Sequence, residues 1–318
     1  MIVHVFIFII SVVLIYFSGE WIVRGLMRVA RFLGWKEFVV AFIVMAFAAS
    51  LPNLFIGISS ALQKIPQLSF GDIAGNNLVA LTIAVALAAF FSKGGLPAES
   101  RTVQTTSIFT MVGAILPLIL VLDGTLSRIE GLLLIIFFVF YIFWLFSKKE
   151  RFTKIYNTHK VPLLKEFRTF IKDLGKVALG IVLLVGAAQG IIISAQFFAV
   201  SFNLSIVLIG LLITGFGSAL PEIYFAVVSA KKGESWMILG DLMGAVIVPA
   251  TLVLGIVALI HPIKIIDFTP LAIARFFLII SAIFFLFFVR TGRLITKKEA
   301  FFLLGIYILF ILVEILAR

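Results

Sequence analysis

The chain has 318 residues, of which 63% are hydrophobic and 13% charged, with a formal net charge of +11 and a mean hydropathy of +1.24. A soluble domain carries roughly 45–50% apolar and 25% charged residues, so this composition excludes one. The absence of cysteine excludes disulfides, thiol catalysis and thiolate metal sites.

Apolar runs of membrane-spanning length follow one another along the chain, at 3–27, 38–62, 68–91, 103–122, 126–147, 177–199, 204–230, 236–260, 270–289 and 299–317. Each needs about 20 residues to cross the hydrocarbon core. The expected fold is all-α, a polytopic membrane protein of about ten transmembrane helices. The first run lacks a basic leader and a small-residue cleavage site, and it reads as a retained span. Leu132 to Phe146 shows none of the alternation that a membrane barrel requires.

In the second run, Met45 to Asn53 reads M-A-F-A-A-S-L-P-N, and the third opens with Gly71-Asp72-Ile73-Ala74-Gly75. Between the fifth and sixth runs lies the one long hydrophilic stretch, 147–176. Within it Leu163, Leu164, Phe167, Phe170, Ile171 and Leu174 fall on one helical face, with Lys165, Arg168, Lys172 and Lys176 elsewhere. That pattern is expected of an interfacial helix lying on anionic membrane lipids. The seventh run carries Thr214 to Glu222 as T-G-F-G-S-A-L-P-E, and the eighth carries Gly240-Asp241-Leu242-Met243-Gly244. His4, His159 and His261 show no metal-ligand spacing, and Asp267 and Glu314 are expected at the interface.

Shifted by 169 residues, the chain superimposes its second and third runs on its seventh and eighth without a gap. Leu51, Pro52, Ser60, Ala61, Gly71, Asp72, Gly75 and Val79 recur identically. The basic residues divide unequally: 21 of the 26 fall on one face of a ten-span layout. By the positive-inside rule that face is cytoplasmic, which puts both termini outside a cell membrane and the 148–176 linker inside. The charge is thus topological, and no nucleic-acid partner is expected. Five spans per half make the two repeats inverted relative to each other. The organisation read from this is a first repeat at 1–147 (motif near 45–81), a basic linker with an amphipathic helix at 148–176, and a second repeat at 177–318 (motif near 214–250).

A proline inside a membrane helix leaves a carbonyl one turn upstream without its donor. Pro52 and Pro221 are therefore read as helix breaks, with Ser50, Ser218 and Glu222 adding oxygens suited to a hard cation. Packing kinks explain isolated prolines as well. Asp72 and Asp241 are either cavity carboxylates or helix N-caps near water. Glu222 is the stronger functional candidate, because an ionisable group at membrane depth costs about 2.5–3.5 kcal/mol even on lenient scales. Asn76 shares a helical stripe with Asp72.

The two segments resemble the paired alpha-repeats of the cation/calcium exchanger superfamily, with patterns G-T-S-x-P-E and G-N-x-x-G-S-N-x-x-N/D. Ser50, Pro52, Ser218, Pro221, Glu222, Gly71, Gly75, Asn77, Gly240 and Gly244 keep the family residue or a close substitute. Asn53 stands where the first-repeat Glu is usual, Asp72 and Asp241 replace the Asn of G-N, and Ala80 and Pro249 replace the last Asn/Asp. The resemblance implies a sodium/calcium exchanger-like antiporter with an ion site at the repeat interface and alternating access by sliding of the first and sixth spans. It implies a cation set of Glu222, Asn53, Ser50, Ser218, Asn76, Asp72 and Asp241, with the three acids as calcium or sodium ligands. Calcium, sodium or protons would be substrates, no cofactor is expected, and a monomer would suffice. Two other readings stay open: the same fold with proton or monovalent-cation exchange, and a degenerate ion sensor that does not transport. No Ser/His pairing, His-metal motif or Asp dyad points to an enzyme.

Overall fold

The protein is described by a computed structural model over residues 1–32, 37–147, 163–233 and 235–317. The ten expected spans appear as ten helical rods. Helix α1 is Ile2–Phe32 and α2 is Glu37–Leu62. Helix α3 is Pro66–Phe91, α4 Arg101–Leu120, α5 Arg128–Ser147 and α6 Leu163–Phe202. Helix α7 is Ile206–Lys232, α8 runs from Ser235–Ile247 through Val248–Val253 to Leu254–Ile260, α9 is Phe268–Arg290 and α10 Lys297–Leu316. Among the described residues eight of these are long and apolar enough to span a bilayer, and Ile2–Ser18 and Ser50–Leu62 are shorter apolar stretches of α1 and α2.

Local chemistry sets the ends. Pro66 stands in the first turn of α3, where its missing N–H is no loss. Ser100 and Asp267 cap α4 and α9, and Thr296 with Glu299 forms a capping box on α10. Asp267 is thus a cap at the helix end, while Glu314, expected at the interface, is buried within α10.

Helices at equivalent positions of the two halves are buried to the same degree. The apolar windows of α3 and α8 are 83% and 78% buried, those of α4 and α9 both 44%, and those of α5 and α10 both 28%. The motif-bearing α3 and α8 therefore form the centre and α5 and α10 the rim. Two short ladders repeat the relation. Leu96 pairs with Ile295 and Pro97 with Leu294, and Leu126 pairs with Ile263 and Thr125 with Lys264. Exchanging the halves maps each ladder onto the other, so loops α3–α4 and α9–α10 share one end of the bundle and α4–α5 and α8–α9 the opposite end. Helices α1 and α6 pack along each other as a pair. Gly190 lies against Ser11 and Gly180 against Ile22, two crossings that the same exchange interchanges.

The expected amphipathic segment is helical from Leu163 and continues into the sixth span without a break. Its 40 residues reach about 60 Å, roughly twice the hydrocarbon thickness. Residues 148–162 lie outside the described residues, as do the side chains of 163–173 and of Glu20, Trp35 and Trp236.

Three central helices contain a π turn: Ala80–Ala84 in α3, Val248–Val253 in α8 and Gly210–Thr214 in α7. Each holds a threonine whose hydroxyl donates to the carbonyl four residues back: Thr82 to Leu78, Thr251 to Ile247 at 2.6 Å and Thr214 to Gly210 at 3.0 Å. A π turn closes at i+5 instead of i+4. This explains why the glycines facing α7 are Gly71 and Gly75, four apart, whereas those facing α3 are Gly210 and Gly215, five apart. The four glycines bring the two backbones into contact around Asp72, leaving room for no Cβ on either side.

Candidate cation site

Asp72 lies six residues inside α3 and Asp241 six residues inside α8, so neither caps its helix. Asp72 is fully buried where α2, α3 and α7 meet. A carboxylate offers no donor, so Asn53 must turn its amide nitrogen to it, and Asn53 Nδ2 donates to Asp72 Oδ2 at 3.0 Å. The Ser218 hydroxyl donates to the other oxygen, Oδ1, at 3.1 Å and lies 3.4 Å from Asn53 Nδ2. Asn53 Oδ1 in turn accepts from Asn76 Nδ2 at 3.2 Å. Four residues from three helices thus form one continuous network, and Ser50, 2% exposed, is buried one turn before Asn53.

The chain ends of that network are open. Asn76 Oδ1 is buried and has no hydrogen-bond partner among the described residues. Neither carboxyl oxygen of Glu222 has a hydrogen bond of ordinary geometry among the described residues, although the residue is 2% exposed. Glu222 sits one turn beyond Ser218, and only the Asn76 amide and its own backbone N–H approach it. A carboxylate buried at membrane depth without well-formed hydrogen bonds is costly unless a cation or a proton offsets its charge. Asp241 is only half-buried, and its neighbour Gly240 is exposed.

One expectation needs correction. Pro221 does mark an interruption of α7, at Ala219, but α2 runs unbroken through Pro52. The difference follows from what precedes each proline. Helix α7 has the weak helix formers Gly215 and Gly217, where the equivalent positions of α2 are Ala46 and Ala48. Among the described residues no three His, Cys, Asp or Glu side chains gather closely enough to hold a metal ion, and of the three expected acids Asp72 is the one within the hydrogen-bonded network. The three π turns were not anticipated, because a single extra residue per turn leaves no mark on composition. Ala80 and Pro249, read from the sequence as lost ligands, belong to two of them.

Comparison with known proteins gives this arrangement a context. The profile of the family described as sodium/calcium exchanger protein matches residues 3–147 and 173–316. An uncharacterized membrane protein of Methanocaldococcus jannaschii is 24% identical over 75% of this chain and 76% of its own length. The sodium/calcium exchanger MaX1 of Methanosarcina acetivorans is 22% identical, with 98% of both chains covered. Among solved structures, the sodium-calcium exchanger NCX_Mj soaked with 100 mM sodium and 10 mM strontium shares the fold, with a TM-score of 0.67 at 23% identity over 98% of each chain.

Proposed function

The chain belongs to the sodium/calcium exchanger protein family, and from that premise we propose that it is a secondary active antiporter exchanging sodium or protons for calcium or another cation. Membership supports cation antiport in general. The choice of ions, alternating access and the site itself belong to the proposal. One observation carries it: the Glu222 carboxyl is buried without a hydrogen bond of ordinary geometry to either oxygen among the described residues. Such a group is stable only when a cation or a proton offsets its charge.

In this mechanism Glu222 is the group that is loaded and unloaded. Asn76 Oδ1, open beside it, supplies a neutral oxygen, and the hydroxyls of Ser50 and Ser218 and the oxygen of Asn53 complete the surroundings. Asp72 and Asp241 add negative charge. A cavity of this charge cannot hold two cation loads at once, so release of one ion is the condition for binding the next, which makes the process exchange. The α1–α6 pair, packed as a unit against α2, would slide to open the site to either side in turn. The halves 1–147 and 177–318 would supply the two arrangements. In the cell membrane both termini would lie outside and the basic 148–176 linker in the cytoplasm, against anionic lipid.

The test is sodium-gradient-driven calcium uptake by the purified protein in vesicles, repeated with a proton gradient. Glu222→Gln is expected to abolish exchange. Uptake at the unaltered rate would refute the assignment. A second reading, proton exchange for a monovalent cation, draws on the amide at Asn53 and on the absence of any three clustered acids among the described residues. A panel of ions in the same vesicles separates the two.

A further inference from the structure

The 169-residue relation sets each half of the site against the other. It carries Asn53 onto Glu222, Asp72 onto Asp241, Ser218 onto Ala49 and Asn76 onto Ala245. Around the first-half acid Asp72 all three donors of the network are present: Asn53 and, from the second half, Ser218 hold Asp72, and Asn76 holds Asn53. In the second half each of those donors is missing. Where Asn53 offers an amide nitrogen there is a carboxyl, and where Ser218 and Asn76 stand there are alanines.

We propose that the second-half pair, Glu222 and Asp241, is where a cation is loaded, and that the first-half pair is a sealed replica in which the Asn53 amide nitrogen occupies the position of that cation. The inference rests on the antiport reading above and narrows it from a site between the halves to one within the second.

Four observations meet here. The Asn53 nitrogen bridges Asp72 and Ser218 as a bound cation would bridge two oxygens, at 3.0 and 3.4 Å. Glu222, its counterpart, has no hydrogen bond of ordinary geometry among the described residues, only the Asn76 amide and its own backbone N–H approaching it. Asn76 Oδ1, fully buried and equally unpartnered, is a third acceptor with no donor. Access differs in the same sense. Gly71, before Asp72, is packed on the Val207 carbonyl, whereas a Cβ at Gly240, before Asp241, would meet nothing within 4 Å among the described residues. A small cation stripped of part of its water, sodium or calcium, fits this oxygen set, because such ions take carboxylate and amide oxygens as ligands.

Thermal unfolding of the purified protein in detergent, in sodium, calcium or bulky organic-cation chloride at matched ionic strength, tests this. The unaltered protein is expected to gain Tm with sodium or calcium. E222Q, which supplies the second half with the amide that the first already has, should fold without added cation and lose that gain, as should D241N. N53D turns the replica into an acid pair and should steepen the dependence of Tm on cation concentration. The proposal is overturned if E222Q keeps the cation-dependent gain, if D241N keeps it while D72N loses it, or if N53D leaves the steepness unchanged. An unaltered protein that neither gains Tm nor exchanges ions in vesicles sinks the antiport reading itself. One that does both while E222Q still binds sinks only the placement in the second half.

Discussion

Alanine placed at Gly71 and at Gly240, which are equivalent by the repeat, should have opposite effects. Neither glycine has a left-handed backbone, so both helices gain from the change in propensity, by about 0.5–1 kcal/mol. At Gly240 that gain is unopposed, because nothing lies within 4 Å of the new Cβ among the described residues. At Gly71 the Cβ would fall on the Val207 carbonyl oxygen and 3.0 Å from the Leu211 nitrogen. Both are backbone atoms that cannot swing aside as a side chain would, so α3 and α7 must part by about 1 Å. Overpacking of this kind costs about 1–3 kcal/mol, and the upper end applies where backbone meets backbone. The net expectation is a loss of about 2 kcal/mol for Gly71→Ala and a gain of up to about 1 kcal/mol for Gly240→Ala. At roughly 2–4 °C per kcal/mol, the two variants should differ by roughly 6–12 °C in Tm. Thermal unfolding in detergent, followed by size-exclusion or intrinsic fluorescence, reads this directly. Two variants agreeing within about 2 °C would refute the claim that the halves are packed unequally at their G-D motifs.

Three further outcomes are expected. Asn53→Leu strips one donor from the buried Asp72 carboxyl, leaving Ser218 and Thr214, and the lost hydrogen bond to a charged group should lower stability by about 1.5–3 kcal/mol in the same assay. Thr82→Val and Thr251→Val each remove one back-bond inside a π turn, and each should cost about 1 kcal/mol, by similar amounts because the turns are equivalent. The chain has no cysteine, so Gln63→Cys with Gln189→Cys creates a unique cross-linking pair where the two amides now meet at 2.7 Å. A cleavable bismaleimide should tie α2 to α6 and stop exchange in vesicles until the link is cut, whereas exchange through the intact link would argue against sliding of α6.

The spans were legible because burial in lipid imposes length and apolarity on every one of them, and the repeat was legible because Pro52 and the G-D-x-x-G motif recur where chance apolar matching cannot supply them. The site was legible as a residue list and not as a geometry. Asp72 four residues into a run read as 68–91 is compatible with a cap or with a cavity, and only the actual start at Pro66 decides between them. Pro52 and Pro221 share a motif, yet α2 continues through the first while α7 is interrupted beside the second, because alanines precede one and glycines the other. The π turns were hidden, although the five-residue spacing of Gly210 and Gly215 against the four-residue spacing of Gly71 and Gly75 was their trace in the sequence.

The symmetry of the scaffold and the asymmetry of the chemistry have separate origins. Equal burial of α3 and α8, of α4 and α9 and of α5 and α10 is a demand of packing, which any apolar residue of suitable size can meet. The polar positions answer to a different constraint, the partnering of every buried donor and acceptor. Asn53, Ser218 and Asn76 supply donors around Asp72 within the chain, with Asn76 Oδ1 left open. Glu222 does not meet that constraint with a hydrogen bond of ordinary geometry, and the π turn of α7 at Gly210–Thr214, for which the continuous helix α2 has no counterpart, closes α7 onto α3 around Asp72. The α3–α7 seam is thus shut by backbone contact at Asp72, while the buried Glu222 carboxyl has no hydrogen bond of ordinary geometry among the described residues. An exchanger whose two halves were chemically identical would have to seal two sites at once. If Glu222 is the loaded group, as proposed, a single ion arriving or leaving there would change the charge balance of the whole centre.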